Sequence, residues 1–336
     1  MPTYTRFSPD DVVITTEKVF TSTWTNNTNK LTTVFTASAD NPTLGSNFNT
    51  PSSSGQYYIN VHNTSVGSTS EIQYSIGYGN KVGSGSENFH VSTKADGFNA
   101  SKAIYSQYRS MVYGDETRDF TFGSTTPDDI IVINVNRARY KQALRLGSLN
   151  LKFGNNVKTN LTDDSITNSG SAVLTNAGRQ YNIVSGSSGV AQSTTTTFGF
   201  LYPDAGFMVL NGDSLGDIDN GLNTLNFITS SNTQGANHAL TLGQISEFEL
   251  DTQENISSQY YFVRAKNKEF NYTTNPSFID SRGNLNYTSM IDNPVSYITT
   301  VGLYNDANEL LAVAKLSQPI IKDFTKEALI KVKLDY

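Results

Sequence analysis

The segment 293–336, NPVSYITTVGLYNDANELLAVAKLSQPIIKDFTKEALIKVKLDY, constrains the fold most. Its apolar residues come in short β-branched or aromatic runs: Tyr297 with Ile298, Val301, Leu303 with Tyr304, then Leu310 with Leu311 and Val313. The final Ile330, Val332, Leu334 and Tyr336 alternate, which is the period of a half-buried strand. Between Tyr304 and Leu310 lie Asn305, Asp306 and Asn308, residues that bond their own backbone and tolerate left-handed geometry. The expected order is strand, turn, strand, short connector, strand, with the last strand tied into a sheet.

The same rhythm runs through the rest of the chain. Hydrophobic residues make up 37% and charged residues only 16%. Ser, Thr, Asn and Gly fill the difference, and with 18 Tyr and 18 Phe the chain still has large side chains to bury. Thr-, Tyr- and Val-rich runs broken by Asn, Gly and Ser favour strands and turns over helices. The fold class expected is mainly β with a few short α-helices (β-rich α+β), in a multi-subdomain, β-sandwich-like architecture.

Three regions are expected. Residues 1–55 read as an N-terminal arm or small β subdomain. Residues 56–160 read as a β-rich domain with a helix at 101–113, where Ile104, Tyr105, Tyr108, Met111 and Val112 recur at spacings of three and four. Asn99 or Ser101 can cap that helix and Gly114 can stop it. Residues 161–336 read as a β-rich region ending in an assembly module, 293–336. Within these, 56–62 and 71–78 read as strands and 77–86 as a glycine-rich flexible turn. The run 129–134 (DIIVIN) reads as a buried strand, 137–146 as a second short helix, and 203–206 as a tight turn between two strands.

Net charge is −6, which argues against a general electrostatic grip on nucleic acid. The densest basic cluster, Arg137, Arg139, Lys141 and Arg145, reads as one face of a short helix. The absence of cysteine excludes disulfides and thiolate zinc sites. The start MPTYTRFSPDDVV lacks the basic-then-apolar pattern of a secretory signal, and no apolar run is long enough to span a bilayer. Assembly in a reducing cytoplasm is expected.

Sites for chemistry are sparse. His62, His90 and His238 are scattered, and no nucleophile elbow or phosphate-binding loop is present. Gly77, Gly79 and Gly83 have the wrong spacing for a dinucleotide fingerprint. The stretch 213–221 (DSLGDIDNG) offers hard oxygen ligands but fails the EF-hand pattern. Asp163 with Asp164, and the run Glu247, Glu249, Asp251 and Glu254, are read as turn and strand-edge residues. No catalytic, cofactor or metal site is expected, and the chain is read as a non-enzyme. Arg137 and Arg139 are candidates for clamping backbone carbonyls or a partner's carboxylate.

The run 301–314 (VGLYNDANELLAVA) resembles the attachment module of tail-fibre and baseplate proteins of contractile-tailed phages. The runs 103–109 (AIYSQYR), 129–142 (DIIVINVNRARYKQ), 174–186 (LTNAGRQYNIVSG), 198–211 (FGFLYPDAGFMVLN) and 260–278 (YYFVRAKNKEFNYTTNPSF) are similar to a virion protein of contractile phages of cyanobacteria and other marine bacteria. The resemblance implies a structural part of the virion tail, in the baseplate or fibre-attachment region, assembled in the host cytoplasm. Its expected partners are other phage structural proteins and copies of itself, with the host surface as a further partner, and neither nucleic acid nor a membrane span. The expected interface residues are Ile298, Val301, Leu303, Tyr304, Leu311, Val313, Arg137 and Arg139, the apolar six serving as core or as docking surface. The alternatives are a receptor- or glycan-binding tail-fibre protein and a capsid-decorating protein.

Overall fold

The computed structural model describes residues 4–33, 35, 58–65, 68–84, 86, 100–153, 160–167, 172–216, 245–271 and 276–335. The strands in chain order are β1 (Val12–Ser22), β2 (Lys30–Leu31), β3 (Tyr58–His62), β4 (Ile72–Asn80), β5 (Asp129–Val135), β6 (Ala143–Leu144), β7 (Asn150–Phe153), β8 (Asn160–Asp163) and β9 (Val173–Thr175). They continue as β10 (Gly178–Ser187), β11 (Val190–Ser193), β12 (Gly199–Tyr202), β13 (Phe207–Asn211), β14 (Ile245–Glu249), β15 (Asp251–Ala265), β16 (Ser296–Tyr304), β17 (Leu310–Lys322) and β18 (Ala328–Asp335). The helices among the described residues are α1 (Ala100–Tyr113), α2 (Gly212–Gly216) and α3 (Ser289–Asp292). The chain is therefore mainly β with a few short helices, as its strand-and-turn rhythm predicts.

Contacts divide the chain into two units, one of Met1–Lys18 with Asn255–Tyr336, the other Val19–Glu254. These boundaries differ from the expected breaks at 55 and 160. Strands on either side of 160 pair directly, Leu151 with Leu161, so both segments belong to one sheet. Strand pairing, which composition does not reveal, sets the division.

In the larger unit, the described residues form one antiparallel sheet of twelve strands, ordered β2-β14-β7-β8-β10-β12-β13-β5-β4-β3, with β9 and β11 on β10. One face carries Tyr74, Ile76 and Tyr78 of β4 and Ile131, Ile133 and Val135 of β5, in register. The same core includes Leu151, Phe153 and Phe248 from the far end of the strand order. Tyr74 and Phe248 meet with ring centroids 5.2 Å apart, and both touch Trp24. The sheet thus curls over itself and closes its own core, a sandwich made from one sheet. Trp24 is buried there because its indole N–H donates to the Phe248 carbonyl at 2.9 Å.

The opposite face packs against α1. Ile104, Tyr105, Tyr108 and Val112 form one stripe and meet Ile130, Val132, Phe207 and Val209. Gly114, at φ +67°, ends the helix, as expected. Asn99 lies outside the described residues. Ser101 is no cap: its N–H donates to Ser86 Oγ at 2.9 Å and its hydroxyl to the Ser84 carbonyl at 2.8 Å. The flexible turn expected over 77–86 is partly strand. Gly77 and Gly79 belong to β4, and a Cβ on Gly79 would lie 3.0 Å from the Tyr105 backbone nitrogen. Gly79 lets the helix backbone lie directly on the strand, while a Cβ on Gly77 would meet the Tyr58 ring at 2.7 Å. Beyond Asn80 the turn is tied down, its side-chain oxygen accepting from the N–H groups of Val82, Gly83 and Ser84 at 2.9–3.0 Å.

The expected helix over 137–146 is a 3-10 turn, Arg137–Arg139, followed by β6. Ten residues are marginal as a helix, and Ala143 and Leu144 gain more by pairing with Gln253 and Thr252 and burying themselves. The turn at 203–206 joins β12 to β13, with Gly206 at φ +76°.

In the smaller unit, β15 pairs with β18 over eight residue pairs, Ser258↔Asp335 to Ala265↔Ala328, and the sheet order is β1-β15-β18. Strands β16 and β17 form a separate two-stranded hairpin. A hairpin alone is marginal in water, and this one rests its inner face on β15 and β18. Val301, Leu303, Ile330 and Val332 are buried together, flanked by Tyr261, Val263 and Ile298. The expected connector after Val313 is strand as far as Lys322. Its register jumps from Thr300↔Lys315 to Ile298↔Ile320, which removes Pro319 from the ladder it cannot donate to.

Candidate docking surfaces

The six apolar candidates on the hairpin split by face. Ile298, Val301 and Leu303 point to the core just described. Tyr304, Leu311 and Val313 are exposed by 44%, 69% and 58%. Tyr297, Leu310 and Ile321 are exposed as well, so the hairpin has apolar residues on both sides. The cross-strand pairs Tyr297↔Ile321 and Tyr304↔Leu310 hold these side chains opposite one another. Sequence reasoning left the six undivided as core or docking surface; the split by face follows from a register that sequence spacing alone leaves open. Tyr4 lies against the ring of Tyr304, centroids 4.9 Å apart, and Arg6 reaches Asp306 in the hairpin turn at 3.6 Å. That turn is closed by Asn305, whose Oδ1 accepts from the Glu309 N–H at 2.8 Å, with Asn308 at φ +62°.

Arg137 and Arg139 each commit Nη1 of the guanidinium within the chain. Arg137 Nη1 donates to the carbonyls of Tyr140 at 2.7 Å and Lys141 at 2.9 Å, with its plane over the Tyr140 ring. This is the carbonyl clamp that a guanidinium can make. Arg139 Nη1 donates to Thr25 Oγ1 at 2.7 Å and Glu71 Oε2 at 2.9 Å, joining the residue before β4 to the segment after β1. Sequence reasoning placed both on a helix that does not form.

The acidic candidates are tied into the fold. Glu247 pairs with Lys30, Asp251 with Arg145 and Glu254 with Lys141, and Glu249 accepts from Asn150. Asp164 is buried and accepts from the backbone and side chain of Asn182. Asp163 is fully buried; its Oδ2 accepts from the Gly147 N–H at 2.8 Å and from the Ser165 hydroxyl, while Oδ1 has no hydrogen-bond partner. Burial pushes the Asp163 carboxyl above its ordinary range. His62 ends β3 with its Nδ1 buried and unbonded. Of the stretch 213–221, Asp213 lies in the first turn of α2 and the residues after Gly216 lie outside the described residues, as do His90 and His238. Among the described residues no cluster of His, Asp and Glu is placed to hold a metal ion. No described helix is long and apolar enough to cross a membrane.

Sequence reasoning missed a buried cation. Lys322, the last residue of β17, is 0% exposed, and its ammonium donates to the Asn267 carbonyl, Asn271 Oδ1 and the Asp323 carbonyl at 2.8, 2.8 and 2.9 Å. It fastens the hairpin's end to the segment after β15. The only sequence signal was a lysine standing in an apolar strand.

Compared with known protein families, curated proteins and solved structures, the chain matches none.

Proposed function

We propose that this chain is a structural virion protein of a contractile phage tail, acting by docking in the baseplate or fibre-attachment region. The observation that supports this most is the outer face of the β16–β17 hairpin, where Tyr297, Tyr304, Leu310, Leu311, Val313 and Ile321 are all exposed. An apolar cluster on a rigid two-stranded element suits burial against a neighbouring subunit. It lies in the same run, 301–314, that resembles the attachment modules of tail proteins. The partners are neighbouring virion proteins and other copies of this chain. Strand β18, bonded along one edge to β15, offers a second surface for strand addition. The mechanism is binding, with the charge-poor composition suited to interfaces whose cores exclude charge.

Imaging whole particles with a gold-labelled antibody against the chain tests this placement. Gold at the distal end of the tail is the expected result. Gold on the head overturns it.

A further inference from the structure

A cleft of about 450 Å³ opens in the larger unit where the end of β5 passes beneath α1. Its lining joins Gln107 and Tyr108 of α1, Asn134 and Asn136 at the end of β5, Arg137, and Phe207 of β13. The volume falls within the range of small-ligand sites, roughly 300–1,000 Å³. Neither aspartate nor glutamate lines it.

The polar groups are only partly used by the fold. Asn134 makes no side-chain hydrogen bond among the described residues, although it stands between Phe207 and Ser75 in the sheet. Asn136 uses its oxygen on the Ala138 N–H, and Gln107 uses its oxygen on the Tyr58 hydroxyl, which leaves each amide nitrogen available. Arg137 is held by its stack on Tyr140 and by the two carbonyl bonds from Nη1. Its remaining N–H groups reach no acceptor, and no carboxylate pairs with it, among the described residues. The cation is therefore fixed in orientation before any ligand arrives. Tyr108 and Phe207, with ring centroids 5.1 Å apart, supply an apolar wall.

This set selects a ligand chemistry. Asn134 can both donate and accept, as sugar hydroxyls do, and Asn136 and Gln107 add amide donors. A lone guanidinium with free N–H groups matches one carboxylate by paired hydrogen bonds. We propose that this cleft binds a uronic-acid residue of a polysaccharide, Arg137 taking the carboxylate and Asn134, Asn136 and Gln107 the hydroxyls. The proposal is independent of the docking reading and stands or falls separately.

Titration calorimetry on the full chain tests it, with the trimer of galacturonic acid, its neutral methyl ester and a tri-glutamate peptide as probes. The acid trimer is expected to bind at least tenfold more tightly than the ester. Arg137→Gln is expected to weaken binding of the acid at least tenfold. Because Arg137 also holds two carbonyls, Asn134→Leu, at an exposed position, is the second variant, and it too is expected to weaken the acid at least tenfold while the thermal midpoint stays that of the wild type. Failure of the acid trimer to bind, equal binding of acid and ester, tighter binding of the peptide, or unchanged binding in Asn134→Leu overturns the assignment.

Discussion

Replacing Lys322 by methionine keeps the stem of the side chain and removes its three hydrogen bonds. The Asn267 carbonyl keeps a second donor, Asn271 Nδ2 at 2.6 Å. Asn271 Oδ1 and the Asp323 carbonyl lose the ammonium as donor, and Asn271 is buried. A buried acceptor without a partner costs about 1–3 kcal/mol, and bonds to a charged group lie at the upper end. Relief from holding a desolvated ammonium offsets part of this loss. The net cost expected is about 3 kcal/mol, which opens the hairpin roughly a hundredfold more often. Amide hydrogen exchange in β16 and β17 reads that opening directly. Exchange there should accelerate by about two orders of magnitude, while amides of β5 and β13 in the larger unit keep wild-type rates. An acceleration below about threefold would refute the reasoning, because it would mean that the two acceptors left without a donor find water at no cost.

Three further substitutions probe the larger unit. Gly79→Ala brings a methyl group onto the Tyr105 backbone, and the denaturation midpoint should fall by an amount equivalent to about 1–3 kcal/mol. Trp24→Phe leaves the Phe248 carbonyl without its indole donor and loosens the aromatic cluster; calorimetry should show a loss of about 2–4 kcal/mol. Asp163 has its carboxyl raised by burial, so the folded state holds the proton more tightly than the unfolded chain. Its contribution to stability is then full below the ordinary carboxylate pKa and is lost as pH rises through the raised one. Asp163→Asn removes that loss. The stability of the variant minus that of the wild type should grow as pH rises from about 4 and level off above the folded pKa, as followed by urea titrations across pH.

Local pattern made part of this fold legible. The apolar stripe of α1, the continuous run of β5 and the Asn-rich turn after Tyr304 each carry their own signal, because neighbours in sequence are neighbours in the element. What depends on partners far along the chain stayed hidden. The segment after Arg139 is strand because Thr252 and Gln253 lie beside it, and Gly77 and Gly79 are strand residues because they pair with Val132 and Ile130 of β5. The candidate surface divides in the same way. Alternation separates Val301 and Leu303 from Tyr304, but the jump in register around Pro319 decides which residues of β17 lie across from β16. The cleft beneath α1 joins four separate elements and leaves no mark in any one of them.

Incorporation into particles tests docking into a virion through the outer face of the hairpin. Leu311→Glu with Val313→Glu places charge on two exposed positions, where substitutions change stability by about 0.5 kcal/mol or less. Quantitative mass spectrometry of purified particles should find the wild-type chain at a fixed ratio to the tail proteins. The folded double variant should fall to a few per cent of that ratio. Full incorporation of the variant, or absence of the wild-type chain from the particles, would contradict the account.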